Sequence, residues 1–242
     1  MSGKHPPPDK PSASWQCHEP PQRRRGATSP SPAVAGEGWG GGQDTIPPYR
    51  AQWESADLVA EFLAGRSPAT DPLWRHSGAE TPDEYALWAE HLCGCACLQM
   101  AVGARGLPIP PIHAIRRGVQ DVGGYVVQPD GTIRGLVYAG AVAWLAGQGI
   151  AAEILLDRTA SDIPALLAGG ALLIASVHGA IRWPDRPAPG RGGHLVLCFG
   201  TAPDGAIRFH NPSGDTPASR RDARLAPAVF DRFFAGRGIL LR

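Results

Sequence analysis

The chain lacks a charge excess of either sign: across 242 residues, 23 Lys and Arg stand against 22 Asp and Glu, a formal net charge of +1. No bulk field therefore draws it onto nucleic acid or an anionic membrane, and neither is expected as a partner. It also lacks a disulfide framework. Five cysteines is an odd number, and Cys93, Cys95 and Cys97 stand too close together to staple a secreted scaffold. The N-terminus, Met1-Ser2-Gly3-Lys4-His5-Pro6-Pro7-Pro8, has no apolar stretch after its basic residues, so it is not a secretory signal and a cytoplasmic location is expected. No phosphate-cradling loop is present, since Gly40-Gly41-Gly42 has no flanking strand and helix. Nucleotide cofactors are not expected, nor any other cofactor.

Long hydrophobic runs are scarce as well. Residues 135–152 are uncharged, at the lower edge of a membrane span, but Gly140, Gly147, Gln148 and Gly149 divide them. They read as a buried helix, 136–146, followed by a strand, 150–156. Up to Gln43 there is no Leu, Ile or Phe, while prolines and Gly40-Gly41-Gly42 recur. That composition cannot offset the entropy of ordering, so residues 1–44 are expected to be a disordered tail. Arg23-Arg24-Arg25 inside it is read as a solvated charge run, and Cys17 is given no chemistry.

Residues 45–242 carry globular patterning. Ser55 is positioned to cap a short helix with Leu58, Val59, Phe62 and Leu63 on one face, and Gly65 ends it. Thr81-Pro82-Asp83-Glu84 is a capping box that opens a helical pattern running to Val102, with Gly94 as its weak point. A helix from the Ser161 cap to Leu167 and a strand over 171–177 come next, then a loop over 179–193 rich in Gly, Pro and Arg. A hairpin follows, with strands 194–199 and 206–210 around Pro203-Asp204-Gly205. The apolar stretch 229–234 reads as helical, and 238–241 as a closing strand. Helices first and an antiparallel-leaning sheet after is the α+β pattern, with a helical half packed against the sheet.

A nucleophilic cysteine needs a base, a group that holds the base in the right tautomer, and a donor for the developing oxyanion. Cys93 stands beside Gly94, where a helix can begin afresh and its free N–H groups favour thiolate. His194 opens the first hairpin strand and Asn211 ends the second. An even-numbered hairpin loop places the two on one face of the sheet, whereas an odd loop or a bulge places them on opposite faces. His210, next to Asn211, faces the other way. Cys95, Cys97 and Cys198 read as small core residues. His91 with the three clustered cysteines lacks the paired spacing of a zinc site, so no metal is expected. His76, His113 and His178 are assigned to solvent or local capping, and Trp53 to the core.

These residues resemble a known family. Cys93-Gly94-Cys95-Ala96-Cys97-Leu98-Gln99-Met100, Gly193-His194-Leu195-Val196-Leu197 and Asn211-Pro212 are similar to motifs of the papain-like cysteine peptidases that remove double-glycine leaders from bacteriocin precursors, and of their stand-alone relatives. The matches are short motifs spread over residues 46–242. The resemblance implies a papain-like fold, a peptide or protein substrate, Cys93 as nucleophile, His194 as base and Asn211 as the group that orients it. Asn211 replaces the family's usual Asp, as papain-like enzymes at large allow. Gln52, in Tyr49-Arg50-Ala51-Gln52-Trp53, corresponds to the oxyanion donor of the stand-alone relatives. It lies 41 positions before Cys93, which implies an insertion between them.

Peptide-bond hydrolysis is thus the leading expectation. A catalytically silent peptide- or protein-binding domain of the same fold and an amide acyltransferase, isopeptidase or transamidase remain open beside it.

Overall fold

Thr81 caps a helix as its chemistry requires: its Oγ1 accepts the Glu84 N–H at 3.0 Å, with Pro82 at the first helical position. The Glu84 carboxylate reaches back to the Glu80 N–H instead of the cap residue's own, so only half of the expected box forms. In the computed structural model, which describes residues 46–242, the elements run α1 (Val59–Leu63), α2 (Pro82–Ala89), α3 (Cys93–Ala104), α4 (Ile112–Asp121), α5 (Tyr138–Gly147), β1 (Ala152–Leu155), α6 (Ile163–Leu166), β2 (Leu172–Val177), β3 (His194–Thr201), β4 (Ile207–His210), α7 (Pro217–Arg220), β5 (Ala223–Leu225), α8 (Pro227–Asp231) and β6 (Phe234–Leu241). The stretch read as a tail, with Cys17 and the arginine triplet, lies outside the described residues. Among the described residues no helix is long and apolar enough to cross a membrane.

The strands form one antiparallel sheet in the order β1-β6-β2-β3-β4-β5. Alternation sorts β2 onto two cores. Leu172 and Ile174 face α3 and α5, together with Leu195, Leu197, Ile239 and Leu241; Leu173, Ala175 and Val177 face α6 and α8, with Val196, Phe209, Phe230 and Phe233. A third cluster, Trp53, Val59, Phe62, Tyr85 and Ala89, joins the N-terminal segments to α2. The fold is α+β, as the sequence pattern implies.

Several local expectations are corrected. The helical pattern 82–102 is two helices, because the chain breaks over 90–92 and α3 begins at Cys93 itself. Ser55 does not cap: its hydroxyl donates to the Asp71 carboxylate, which also accepts the Ser55 N–H and the Tyr85 hydroxyl. Thr159, not Ser161, precedes the 3₁₀ turn leading into α6, and the Asp162 carboxylate accepts its N–H at 2.8 Å. The stretch 229–234 is not one helix, because α8 stops at Asp231 and Phe234 opens β6, paired with Val177. His113 is fully buried in α4, not at the surface.

Candidate active site

The first turn of α3 is where the sequence leaves N–H groups without a cap. Leu92 precedes it and offers no side-chain acceptor, so the donors of the opening turn are free for a charge that forms at Cys93. Gly94 lets this turn approach the sheet. A Cβ there would stand 2.7 Å from Leu136 Cδ2 and 3.1 Å from Leu195 Cδ1, closer than packed carbons come, so the helix start lies flat against the beginning of β3. Cys93 retains 8% of its surface and His194 likewise. Both line a cavity of about 410 Å³ on the Gln52 and Ser213 side and a second of about 510 Å³ on the Leu136 and Ile154 side.

The His194–Asn211 pair forms through a compensation. The connection over 202–206 is odd-numbered, since Thr201 pairs with Ile207, and alone it would send the two side chains to opposite faces. A bulge at Phe199 shifts the register, so that Leu197 pairs with His210 and Asn211 falls level with Val196. Two odd steps restore the parity. His194 Nε2 lies 2.8 Å from Asn211 Oδ1.

That contact fixes a tautomer. The Ser213 backbone N–H donates to Asn211 Oδ1 at 3.1 Å, so this oxygen is an acceptor and the side chain closes a turn on its own backbone. His194 Nε2 must then carry the proton, which leaves the Nδ1 lone pair available as a base. Burial pushes His194 down to about 4; the Asn211 bond favours the charged ring, while Arg182 and His178 disfavour it. Burial likewise pushes the Cys93 thiol up, opposed by the N–H groups of Leu195, Gly94 and Cys93 itself. Among the described residues no hydrogen bond joins Cys93 to His194. Burial thus disfavours the charged form of each group.

Gln52 is 4% exposed and held at both ends. Its N–H donates to the Pro212 carbonyl at 3.1 Å, and its Nε2 donates to the Ala89 carbonyl at 3.0 Å. One Nε2 hydrogen is thereby used, and Gln52 lines the cavity that Cys93 also lines. The segment after Gln52 is braced by α2: Tyr85, itself bonded to Asp71, accepts the Glu54 N–H at 2.8 Å.

The other sequence assignments sort clearly. His210 Nδ1 accepts the Asp222 N–H and its Nε2 donates to the Pro47 carbonyl, so both nitrogens clamp backbone and neither is free to act as a base. Cys95, Cys97 and Cys198 are buried in the core. No group of His, Cys, Asp and Glu among the described residues is arranged to hold a metal ion. Trp53 is buried and stacks on Phe62, yet it also lines the cavity next to Gln52. His178 Nδ1 accepts the Ala180 N–H, a local cap as expected, and His76 is exposed. The loop over 179–193, expected from its place before His194 to wall the cleft, does line it through Gly179, Arg182, Gly192 and Gly193, but sequence reasoning singled out neither Arg182 nor Ser213. Ser213 Oγ lies 3.0 Å from His194 Nε2 and accepts from Arg182 Nη2 at 2.7 Å.

No protein-family model matches the chain, and no curated protein matches it. Among solved structures it is similar to the peptidase domain of Streptococcus ComA, a bifunctional ABC transporter involved in quorum sensing, at 14% identity and a TM-score of 0.45, over 62% of this chain and 90% of that one. It is also similar to a double-glycine-motif protease from an AMS/PCAT transporter in complex with the leader peptide, at 16% identity and a TM-score of 0.40, over 62% of this chain and 82% of that one. With TM-scores below 0.5, neither likeness bears on the chemistry of this chain's residues.

Proposed function

We propose that the protein is a cysteine peptidase that hydrolyses a peptide bond through Cys93, His194, Asn211 and Gln52. The observation that carries this reading is the Asn211–His194 contact of 2.8 Å, with the tautomer it imposes, beside a cysteine at an uncapped helix start. Substrate carbonyl binding brings the carbon to Cys93 Sγ. His194 Nδ1 takes the thiol proton as the sulfur attacks, and the C–S bond forms while the carbonyl electrons move to oxygen. Gln52 Nε2 and the Cys93 N–H receive that oxyanion. The imidazolium gives its proton to the leaving amine as the C–N bond breaks. Water, activated by the same nitrogen, then releases the acid and the free thiol. Burial that favours the neutral imidazole suits this sequence, because the base keeps its lone pair until the sulfur attacks.

A peptide or protein substrate, a papain-like fold and a location in the cytoplasm complete the proposal. It is tested by incubating the full chain with a proteome-derived peptide pool and reading new termini by mass spectrometry. Cuts made by the wild type and absent with Cys93→Ala are the expected result; the same cuts with Cys93→Ala contradict it. The second reading is a binding domain without turnover, favoured by the absence of a Cys93–His194 hydrogen bond and the raised thiol. It predicts no cuts from the wild type. An acyl transfer to an added amine, seen as a mass adduct in place of the free acid, would identify the transferase.

A further inference from the structure

Of the two cavities that meet at Cys93 and His194, one carries a half-buried cation that makes no ion pair among the described residues. Arg182 closes the 3₁₀ turn Gly179–Arg182 after β2 and lines the cavity on the Gln52 and Ser213 side. Its Nη2 donates to Ser213 Oγ at 2.7 Å, and that oxygen lies 3.0 Å from His194 Nε2, so the guanidinium stands one hydroxyl away from the imidazole. Its Nε is buried with no hydrogen-bond partner, and among the described residues Arg182 makes no ion pair. Asp215, the carboxylate whose field reaches it, is engaged elsewhere: it accepts from Trp183 Nε1 at 2.7 Å and from Ser219 Oγ at 3.0 Å. Glu90, the one acidic side chain that lines this cavity, is exposed at the end of α2 and forms no pair with Arg182. His178 adds a second donor edge, because its Nδ1 accepts a backbone N–H and the ring proton of the neutral form is therefore on Nε2. The opposite cavity is walled by Leu136, Tyr138, Ile154 and Leu156, and its cation, Arg237, is exposed where Arg182 is half-buried.

A half-buried guanidinium that has no ion pair among the described residues and leaves its Nε unpaired is costly to keep, and its planar donors match a carboxylate. We propose that Arg182 selects a substrate carboxylate on the Ser213 side of the scissile bond, supplied by an acidic side chain or by a free C-terminus. The inference rests on the cysteine-peptidase reading and names a substrate class for it. Arg182 acts here as a specificity-determining residue; it binds the group that distinguishes one peptide from another.

The experiment begins with the cuts made in the peptide pool and continues with matched synthetic peptides. One set carries Glu, Gln or Lys at the enriched position; another ends there as a free acid or an amide. The wild type is expected to prefer the carboxylate by about tenfold or more in kcat/KM, the scale of one hydrogen bond to a charged group. The Glu set identifies a side-chain source, the acid and amide set a terminal one. Arg182→Gln is expected to bring the carboxylate-to-amide ratio close to one while still cutting the Gln peptide. Arg182→Lys keeps part of the preference, and Arg182→Glu shifts it toward Lys. Equal rates on acidic and neutral peptides, or a ratio unchanged by Arg182→Gln, overturn the proposal. So does a uniform fall on every peptide, which would mark Arg182 as support for Ser213 alone. If the wild type cuts nothing, the peptidase reading fails and this proposal fails with it; cutting without preference overturns only the role of Arg182.

Discussion

Asn211 performs two tasks with one oxygen, accepting from the Ser213 N–H and from His194 Nε2. An aspartate would accept both bonds equally well and add a negative charge beside the ring. Asn211→Asp is therefore expected to keep the geometry and raise the His194 pKa by about one to three units. The acid limb of the pH–rate profile should move up by the same amount, and an unmoved limb would mean that His194 is not the titrating base. Gln52 is testable apart from the base, because its part is confined to the oxyanion. Gln52→Ala is expected to lower kcat by about 10²–10³-fold, the loss that follows removal of one oxyanion donor, with the pH profile unchanged. Cys93, His194, Asn211 and Gln52 could be nominated as a candidate site because each sits in a short motif with order and context. Ser213 and Arg182 could not. A serine in a Pro-Ser-Gly turn and one arginine in an Arg/Pro-rich loop look the same whether they touch an imidazole or water.

At the scale of elements, the site depends on how closely α3 approaches β3. Gly94 is what allows it, so Gly94→Ala forces Leu136 or Leu195 to move or tips the Cys93 end of the helix away from the sheet. The expected cost is about 1–3 kcal/mol in stability, as for other overpacked positions, with a larger proportional loss of turnover than of peptide binding. Denaturant melts and the split between kcat and KM check it; wild-type values in both would show that the contact relaxes freely. The elements themselves were partly legible. The Thr81 cap, the hairpin and the buried strand β2 follow from local chemistry. The parity of His194 and Asn211 does not, because it depends on an odd connection and a bulge at Phe199 that cancel. Helix α4 has its signal in Ile112, Ile115 and Val119, at helical spacing, but His113, Arg116 and Arg117 among them disguise a buried face. β6 was expected over 238–241 only, and its central place between β1 and β2 is a long-range pairing with no local signature.

For the molecule as a whole, burial of His194, His113 and His210, each lowered chiefly by desolvation, makes stability dependent on pH. His194 and His113 are each held at about 4 with burial as the leading cause, below the value near 6.5 of an unfolded chain. Between these values the unfolded state binds more protons than the folded one. Stability is therefore full above pH 6.5 and falls as the pH drops toward 4, by up to about 3 kcal/mol for His194 alone. Urea melts from pH 7.5 to 4.5 should show midpoints falling with acid, less steeply in His113→Gln. Midpoints that stay level would contradict neutral burial. The α+β class was legible from the order of patterns along the chain, and the packing of helices on both faces of the sheet was not, since α6 and α8 are too short to show a periodic face.

The central claim is that His194, held by Asn211, serves as base to Cys93. It is tested most directly by the rate at which iodoacetamide alkylates Cys93 at pH 7, with the modified residue located by mass spectrometry, in the wild type and in His194→Ala. Base assistance predicts a wild-type rate higher by about 100-fold or more, the usual scale for a positioned proton acceptor. Equal rates in the two proteins would contradict it.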